Sequence, residues 1–492
     1  MANRICLINP PYVIHTSWGI PNVFQPLGLA YLAAVLEKKY EVTILDACIE
    51  GWRNLKRVNG KFYMGLSYEE ISSRIREISP QIVGVSVPFS ISMPIAMNIA
   101  TLVKKVDENI ITILGGTHPT VRPEDVISHP AVDIVVIGEG EETLPELLEI
   151  LDRRDYRELE KVAGIAYLKE GKELQITHPR PGIKDLDSLP LPARRLLPME
   201  QYFASAKRGL GPRPNICKPW ASVITSRGCP YNCVFCSNHL TMGRKWRKRS
   251  PGQVVEELEK LVSSYGIVQI DFEDDNIALD RKRMEEICTL IIKKKLPITW
   301  YLPNGVRADN LDEQLLSKMR ESGCEEIWIS PESGVQRVVD QIIKKKLDLK
   351  KVEEIVKACK KSGVKVGCFF VIGFIGETME DIKKTLDYAQ RLERWGAKSS
   401  FNIATPYYGT ELYRQAKQGG FLRENFNYES LCTLEAFIDT PEFKAEQIKE
   451  ILERTKSLGF TRSRFLKALK RPDLALNFFF SRLKARGRKI FQ

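Results

Sequence analysis

From residue 4 to about residue 150, short apolar runs rich in β-branched residues alternate with longer stretches whose apolar positions recur every three or four residues. The runs Arg4–Ile8, Glu41–Leu45, Gln81–Val87, Ile110–Leu114 and Val132–Val136 predict strands. Between them Leu27–Lys38, Tyr68–Ile78, Pro94–Val106 and Glu142–Leu151 predict helices. Strands apolar on both faces belong in a parallel sheet covered on both sides, so residues 1–151 read as a doubly wound α/β domain. Such a domain binds ligands at the carboxyl ends of its strands.

The rhythm breaks over residues 152–220, where eight prolines from Pro179 to Pro219 punctuate a stretch without a long periodic element. This predicts a linker wrapping between domains. Alternation resumes over 221–420, with strands predicted at Ser222–Ser226, Val268–Phe272, Ile298–Leu302, Glu326–Ile329, Val364–Val371 and Ser399–Ile403. Helical patterns follow at Pro251–Ser264, Arg281–Lys295, Leu311–Ser322 and Thr378–Arg391. Six strand–helix units predict a (β/α)6 partial TIM barrel whose active site lies at the carboxyl-terminal strand ends. Residues 421–492 read as a helical, basic C-terminal region.

The chain of 492 residues is 43% hydrophobic and has the composition of an ordinary globular protein. No apolar run reaches the roughly 18 residues of a membrane span, and Pro10-Pro11 interrupts the N-terminus too early for a signal peptide. A cytoplasmic protein is expected. The net charge of +12 is local: Arg454–Gln492 holds twelve Lys and Arg against Asp473 alone, and the rest of the chain is nearly neutral. No nucleic-acid footprint covers the body. Residues 460–489 interleave these cations with Phe460, Phe465, Phe478, Phe479 and Phe480, which suits either peripheral contact with an anionic membrane surface or packing on the barrel.

Eleven cysteines in such a chain are read as metal ligands or small buried hydrophobes before disulfides. Eight are scattered; Cys229, Cys233 and Cys236 fall within eight residues, directly after the first barrel strand. Their C-x3-C-x2-C spacing lets one loop reach three corners of a cubane cluster, leaving the fourth iron open. Gly228 and Pro230 favour the tight backbone this needs. The competing reading is a structural zinc site completed by His239 or Cys217.

The string Ser226-Arg227-Gly228-Cys229-Pro230-Tyr231-Asn232-Cys233-Val234-Phe235-Cys236 resembles the radical S-adenosylmethionine superfamily, including the aromatic Phe235 before the third cysteine. The resemblance implies a [4Fe-4S] cluster held by the three thiolates. Its open iron would chelate S-adenosylmethionine, and one electron from an external donor such as ferredoxin or flavodoxin would cleave it to a 5′-deoxyadenosyl radical. Further strings extend the likeness along the barrel. Glu273 and Asp274, in Phe272-Glu273-Asp274-Asp275-Asn276, stand where the family contacts the methionine amino group. Glu332 and Ser333 stand at the ribose and carboxylate side, Gly373 and Gly376 at the adenine side, and Ala404–Leu412 at the closing motif. Arg307 is open between substrate ion pair and surface charge.

The N-terminal domain resembles the Rossmann-like cobalamin module of one branch of this superfamily. Asn9-Pro10 follows the first strand, Gly115-Gly116-Thr117-His118 the fourth, and Gly138-Glu139-Gly140 the fifth. The resemblance gives Asn9, Pro10, Gly115, Gly116, His118, Gly138 and Gly140 to cobalamin. Where histidine-ligated cobalamin proteins read D-x-H-x-x-G, this chain has Asp46-Ala47-Cys48-Ile49-Glu50-Gly51, so bound cobalamin is expected without a histidine on cobalt. The leading expectation is a cobalamin-dependent radical methyltransferase acting on an unactivated carbon of a hydrophobic substrate, a small molecule or a lipid-like one. Ring formation or carbon–carbon coupling on a lipid or tetrapyrrole is the alternative enzyme class, and a zinc-stabilised cobalamin carrier or sensor the non-enzymatic one. Tyr202, Tyr407 and Tyr408 are candidates for a pocket or for core packing.

Overall fold

The computed structural model describes residues 4–15, 21–58, 60–213, 218–427 and 430–458. Cys217 and the basic stretch 460–489 lie outside these residues. The N-terminal sheet is built from β1 (Arg4–Asn9), β2 (Glu41–Asp46), β3 (Ile82–Ser86), β4 (Ile111–Gly115) and β5 (Ile134–Val136). These five are parallel, in the order 2-1-3-4-5. Alternation along β1 sends Ile5 and Leu7 into one core and Cys6 and Ile8 into the other. Both faces are therefore covered, which is what a parallel sheet requires. The chain reverses direction across the sheet between β1 and β3, and this doubly wound order opens its ligand crevice at their carboxyl ends.

The stretch 152–220 is more than a linker. It contains an antiparallel hairpin, β6 (Ile165–Lys169) with β7 (Glu173–Ile176), that adds to β5 and closes this edge of the sheet, and then a helix, Met199–Lys207. The hairpin escapes the periodicity because it is short and its outer strand is exposed, with Leu174 at 41% and Ile176 at 52%. A small antiparallel sheet of Tyr12–His15, Leu55–Val58 and Lys61–Met64 was also beyond the pattern.

The second sheet runs β8 (Trp220–Val223), β9 (Gln269–Phe272), β10 (Thr299–Val306), β11 (Cys324–Glu332), β12 (Lys365–Ile372) and β13 (Lys398–Ile403). All are parallel and neighbours in sequence order, the open (β/α)6 arrangement expected. Helices such as Pro251–Tyr265, Arg281–Lys293 and Leu349–Ser362 cover its outside. The apolar core is continuous from Leu7 and Leu147 in the first domain to Trp220 and Trp300 in the second. The two sheets therefore share packing rather than hang on a tether. No described helix is long and apolar enough to cross a membrane.

Candidate functional site

Gly228 opens the cysteine loop in a left-handed conformation, φ +84°, and a Cβ there would come within 2.5 Å of the Lys245 carbonyl. Only glycine fits. The loop is then tied on two sides. The Val234 amide donates to Ile343 (3.1 Å), and the Leu412 amide donates to the Val234 carbonyl (2.9 Å). Phe235 packs its ring against Phe374 with centroids 5.7 Å apart. Arg307 stacks on Tyr231 at 3.8 Å, bonds Asp309, and donates to the carbonyls of Lys345 (2.9 Å) and Lys346 (3.1 Å). Arg307 is therefore a brace for the loop.

Cys229, Cys233 and Cys236 are free thiols and only partly buried, unlike the other described cysteines, which are buried. Burial raises all three, Cys236 to about 12, with the Lys345 charge opposing it most at Cys233. Thiols in this state bind metal by exchanging proton for ion. Among the described residues no three His, Cys, Asp or Glu side chains converge on a single ion position. Three thiols on one loop at this spacing suit the corners of a larger cluster.

The strand-end acids divide sharply. Asp274 is buried and receives the Thr225 amide (3.0 Å), the Thr225 hydroxyl (2.7 Å) and the Ser226 hydroxyl, so it staples the strand that feeds the loop. Glu273 turns into the barrel, where Asn304 (3.0 Å) and Ser222 (3.3 Å) bond it; burial, then Asp271, raises it to about 7. Among the acids that end this strand, the one whose charge reaches Cys229 and Cys236 is Asp275, while the Glu332 charge reaches Cys233; Asp275 keeps an accessible surface, and desolvation, then Asp274, raises it to about 6. Nothing local in Phe272–Asn276 separates Asp275 from its neighbours. Two adjacent carboxylates after a strand point to opposite sides, and only the partners decide which faces the site.

Glu332 ends β11 with φ +65° and pairs with buried Lys345 at 2.7 Å. The Ser333 hydroxyl is occupied by Thr385 (3.0 Å) and the Val335 amide (3.2 Å), a turn-stabilising role. Gly373 and Gly376 flank a loop held by Glu377, whose carboxylate accepts from the amides of Gly373 (2.7 Å) and Phe374 (3.1 Å).

At the carboxyl edge of the first sheet, Gly116 has φ +120°, and a Cβ would meet the Val87 carbonyl at 2.7 Å. This tight turn after Gly115 presents His118, buried and bonded through Nδ1 to the Ser90 hydroxyl at 2.9 Å. Phe89 beside Ser90 is 57% exposed at the same edge, and a Cβ on Gly138 would meet nothing within 4 Å. An exposed aromatic and an open glycine loop fit the face of a large planar ligand such as cobalamin. Asn9, by contrast, is engaged with Asp46 (2.8 Å), which also receives the amides of Cys48 and Ile49 and the Tyr202 hydroxyl. Pro10 and Cys48 are buried. Tyr202 is therefore structural.

The two edges meet. The helix Thr117–Val121 packs on Asn238–Thr241, the turn that follows Cys236. Gly409 sits between them, where a Cβ would lie 2.7 Å from Leu240 and 3.1 Å from Val121. Tyr408 packs edge-on to His118 at 6.4 Å, and Tyr407 is partly buried beside it. The glutamates of the Gly138–Gly140 region are ion-paired to the cysteine loop's flanks. Arg227 bonds Glu141 at 2.5 Å, while Arg247 bonds Glu139 at 2.8 Å, the Ile183 carbonyl at 2.8 Å and the Met242 carbonyl at 2.8 Å. All four side chains are buried, and sequence reasoning missed this clamp because each partner lies about a hundred residues from the other.

Residues 19–148 match the model of the B12 binding domain, and residues 223–389 that of the Radical SAM superfamily. An uncharacterised methyltransferase of Pyrococcus horikoshii is 33% identical, covering 94% of this chain and 94% of its own. The cytidylyl-2-hydroxyethylphosphonate methyltransferase of Streptomyces wedmorensis is 32% identical over 91% of this chain and 88% of its own. The fold is that of the cobalamin-dependent S-adenosylmethionine radical enzyme OxsB, solved with aqua-cobalamin and S-adenosylmethionine bound. Its TM-score is 0.71 at 18% identity, covering 93% of this chain and 66% of that one. Two family signatures in the right order, over a cysteine loop and a sheet edge that touch, show that the chain belongs to the cobalamin-binding radical S-adenosylmethionine enzymes, in their methyltransferase-like branch.

Proposed function

We propose that this enzyme moves a methyl group from S-adenosylmethionine to an unactivated carbon, with Cys229, Cys233 and Cys236 holding a [4Fe-4S] cluster and the 115–118 and 138–140 turns holding cobalamin. The observation that supports the reading is the contact at Gly409, where the turn that follows the cysteine loop packs on the helix that follows Gly115 and Gly116. When bound, the cluster supplies the electron that splits the sulfonium and the cobalamin carries the methyl group.

The chain's own residues set the geometry. Asp275, whose charge reaches Cys229 and Cys236, would accept hydrogen bonds from the ammonium of a chelated methionine. Asp274 and Arg307 fix the loop from behind. The backbone at Gly373 and Gly376, shaped by Glu377, offers polar edges to a purine. Glu273, Asn304 and Tyr301 line the barrel below, where the acceptor carbon must sit. Cys48 is buried beside Asp46, so its thiol would not be among the residues that hold cobalamin. The lipid-like acceptor class is inferred from the basic, aromatic tail alone.

Anaerobic incubation with S-adenosylmethionine labelled in its methyl group, against a hydrophobic extract of the host, tests the reading. Label on carbon in the product supports it; a ring-closed product without label assigns the alternative chemistry.

A further inference from the structure

We propose that the outer face of the cysteine loop docks an acidic one-electron carrier protein, received by a cationic collar of Arg244, Lys245, Lys344, Arg414 and Lys417. This rests on the reading that the loop holds a redox cluster.

Three separate segments grip the loop, and each brings cations with it. Arg244 bonds the Tyr231 carbonyl at 3.2 Å and the Asn232 side chain, and Lys245 follows it into solvent. Ile343, which accepts from the Val234 amide, is followed by exposed Lys344. Lys344 holds a left-handed backbone, φ 59°, a conformation that costs free energy in a non-glycine residue. The helix Glu411–Gln418 starts on the Val234 carbonyl through Leu412 and carries exposed Arg414 and Lys417.

Among the described residues Arg244, Lys245, Lys344 and Lys417 have no ion-pair partner, and Arg414 pairs only with Glu411 on its own helix. The chain outside the tail is nearly neutral, so five cations around one eight-residue loop are a local feature. The patch surrounds the backbone of the residues that would hold the cluster. Transient redox encounters use small interfaces and rely on charge to steer and orient the partner. The transfer moves one electron from carrier to cluster, oxidising the first and reducing the second, with no bond or proton changed. A single-stranded nucleic acid would need exposed stacking aromatics, and none of the exposed large hydrophobics belongs to the collar.

Stopped-flow reduction of the anaerobically reconstituted enzyme tests this, using reduced flavodoxin as the acidic carrier and the methyl viologen radical as the small cationic one. With flavodoxin the wild-type rate is expected to fall steeply as salt rises from about 0.02 to 0.3 M. The K245E/K344E/K417E variant should be slower by about tenfold or more at low salt, the size of electrostatic steering. Viologen-driven reduction and 5′-deoxyadenosine formation should not fall. If the triple variant assembles less iron, K245E and K417E alone, read per cluster, must still slow flavodoxin and spare viologen. Unchanged flavodoxin rates overturn the proposal, and so does loss of binding to a mixed RNA pool with those rates intact. A wild type with no viologen-reducible cluster instead overturns the functional reading beneath it.

Discussion

Asp274 and Asp275 share a peptide bond and differ in everything that matters. Asp274 accepts from a backbone amide and two hydroxyls, so Asp274→Asn is expected to lower the melting temperature first, through lost bonds worth about 1–3 kcal/mol each. Asp275→Asn is expected to leave melting and iron content unchanged and to weaken S-adenosylmethionine binding by about tenfold or more, the value of one charge-assisted bond. Equilibrium dialysis with labelled cofactor reads this; equal affinity would remove Asp275 from the site. Glu377 gives a pH signature. Burial raises it to about 7, so the folded protein keeps this proton to higher pH than the unfolded chain does. Its contribution is then full below the ordinary carboxylate range and is lost as pH rises toward 7, by at most on the order of 3 kcal/mol. Glu377→Gln keeps an acceptor for Gly373 and Phe374, so its thermal unfolding should show a flatter pH dependence and greater stability than wild type at pH 8.

At the scale of elements, the cysteine loop depends on supports that are silent in sequence. Gly228→Ala drives a methyl into the Lys245 carbonyl and is expected to abolish iron incorporation while cobalamin still binds. The Arg227–Glu141 and Arg247–Glu139 pairs join the two domains in a buried setting. Arg247→Ala leaves Glu139 only the Arg227 guanidinium at 3.6 Å and the Ile183 amide at 2.9 Å, and should cost about 3 kcal/mol in denaturant unfolding. Replacing Arg227 and Glu141 together by Met and Leu should cost far less, because the desolvation penalty leaves with the charges. The eleven core strands were legible because most are β-branched apolar runs alternating with helical stretches, and helix Tyr68–Ile78 matches to the residue, with Ser67 and Glu70 forming its capping box. The Ile165–Ile176 hairpin was not, since an exposed edge strand has little apolar contrast. The clamp was not, since pairing across a hundred residues leaves no local mark.

For the whole molecule, the continuous core and the junction at Gly409 join the two domains by direct packing rather than by a tether. The chemistry of the cysteine loop and the strand-end motifs was readable from order and spacing. Which acid faces the thiols, and that Asn9 and Ser333 are spent on holding structure, needed three dimensions. The most direct measurement is electron paramagnetic resonance on the anaerobically reconstituted, reduced protein, with and without S-adenosylmethionine. A reduced [4Fe-4S] signal that changes shape when the cofactor is added, and disappears in the Cys229→Ala, Cys233→Ala and Cys236→Ala variants, is the predicted result. A protein that takes up zinc in place of iron, or a cluster signal indifferent to S-adenosylmethionine, would contradict the open iron site on which the account stands.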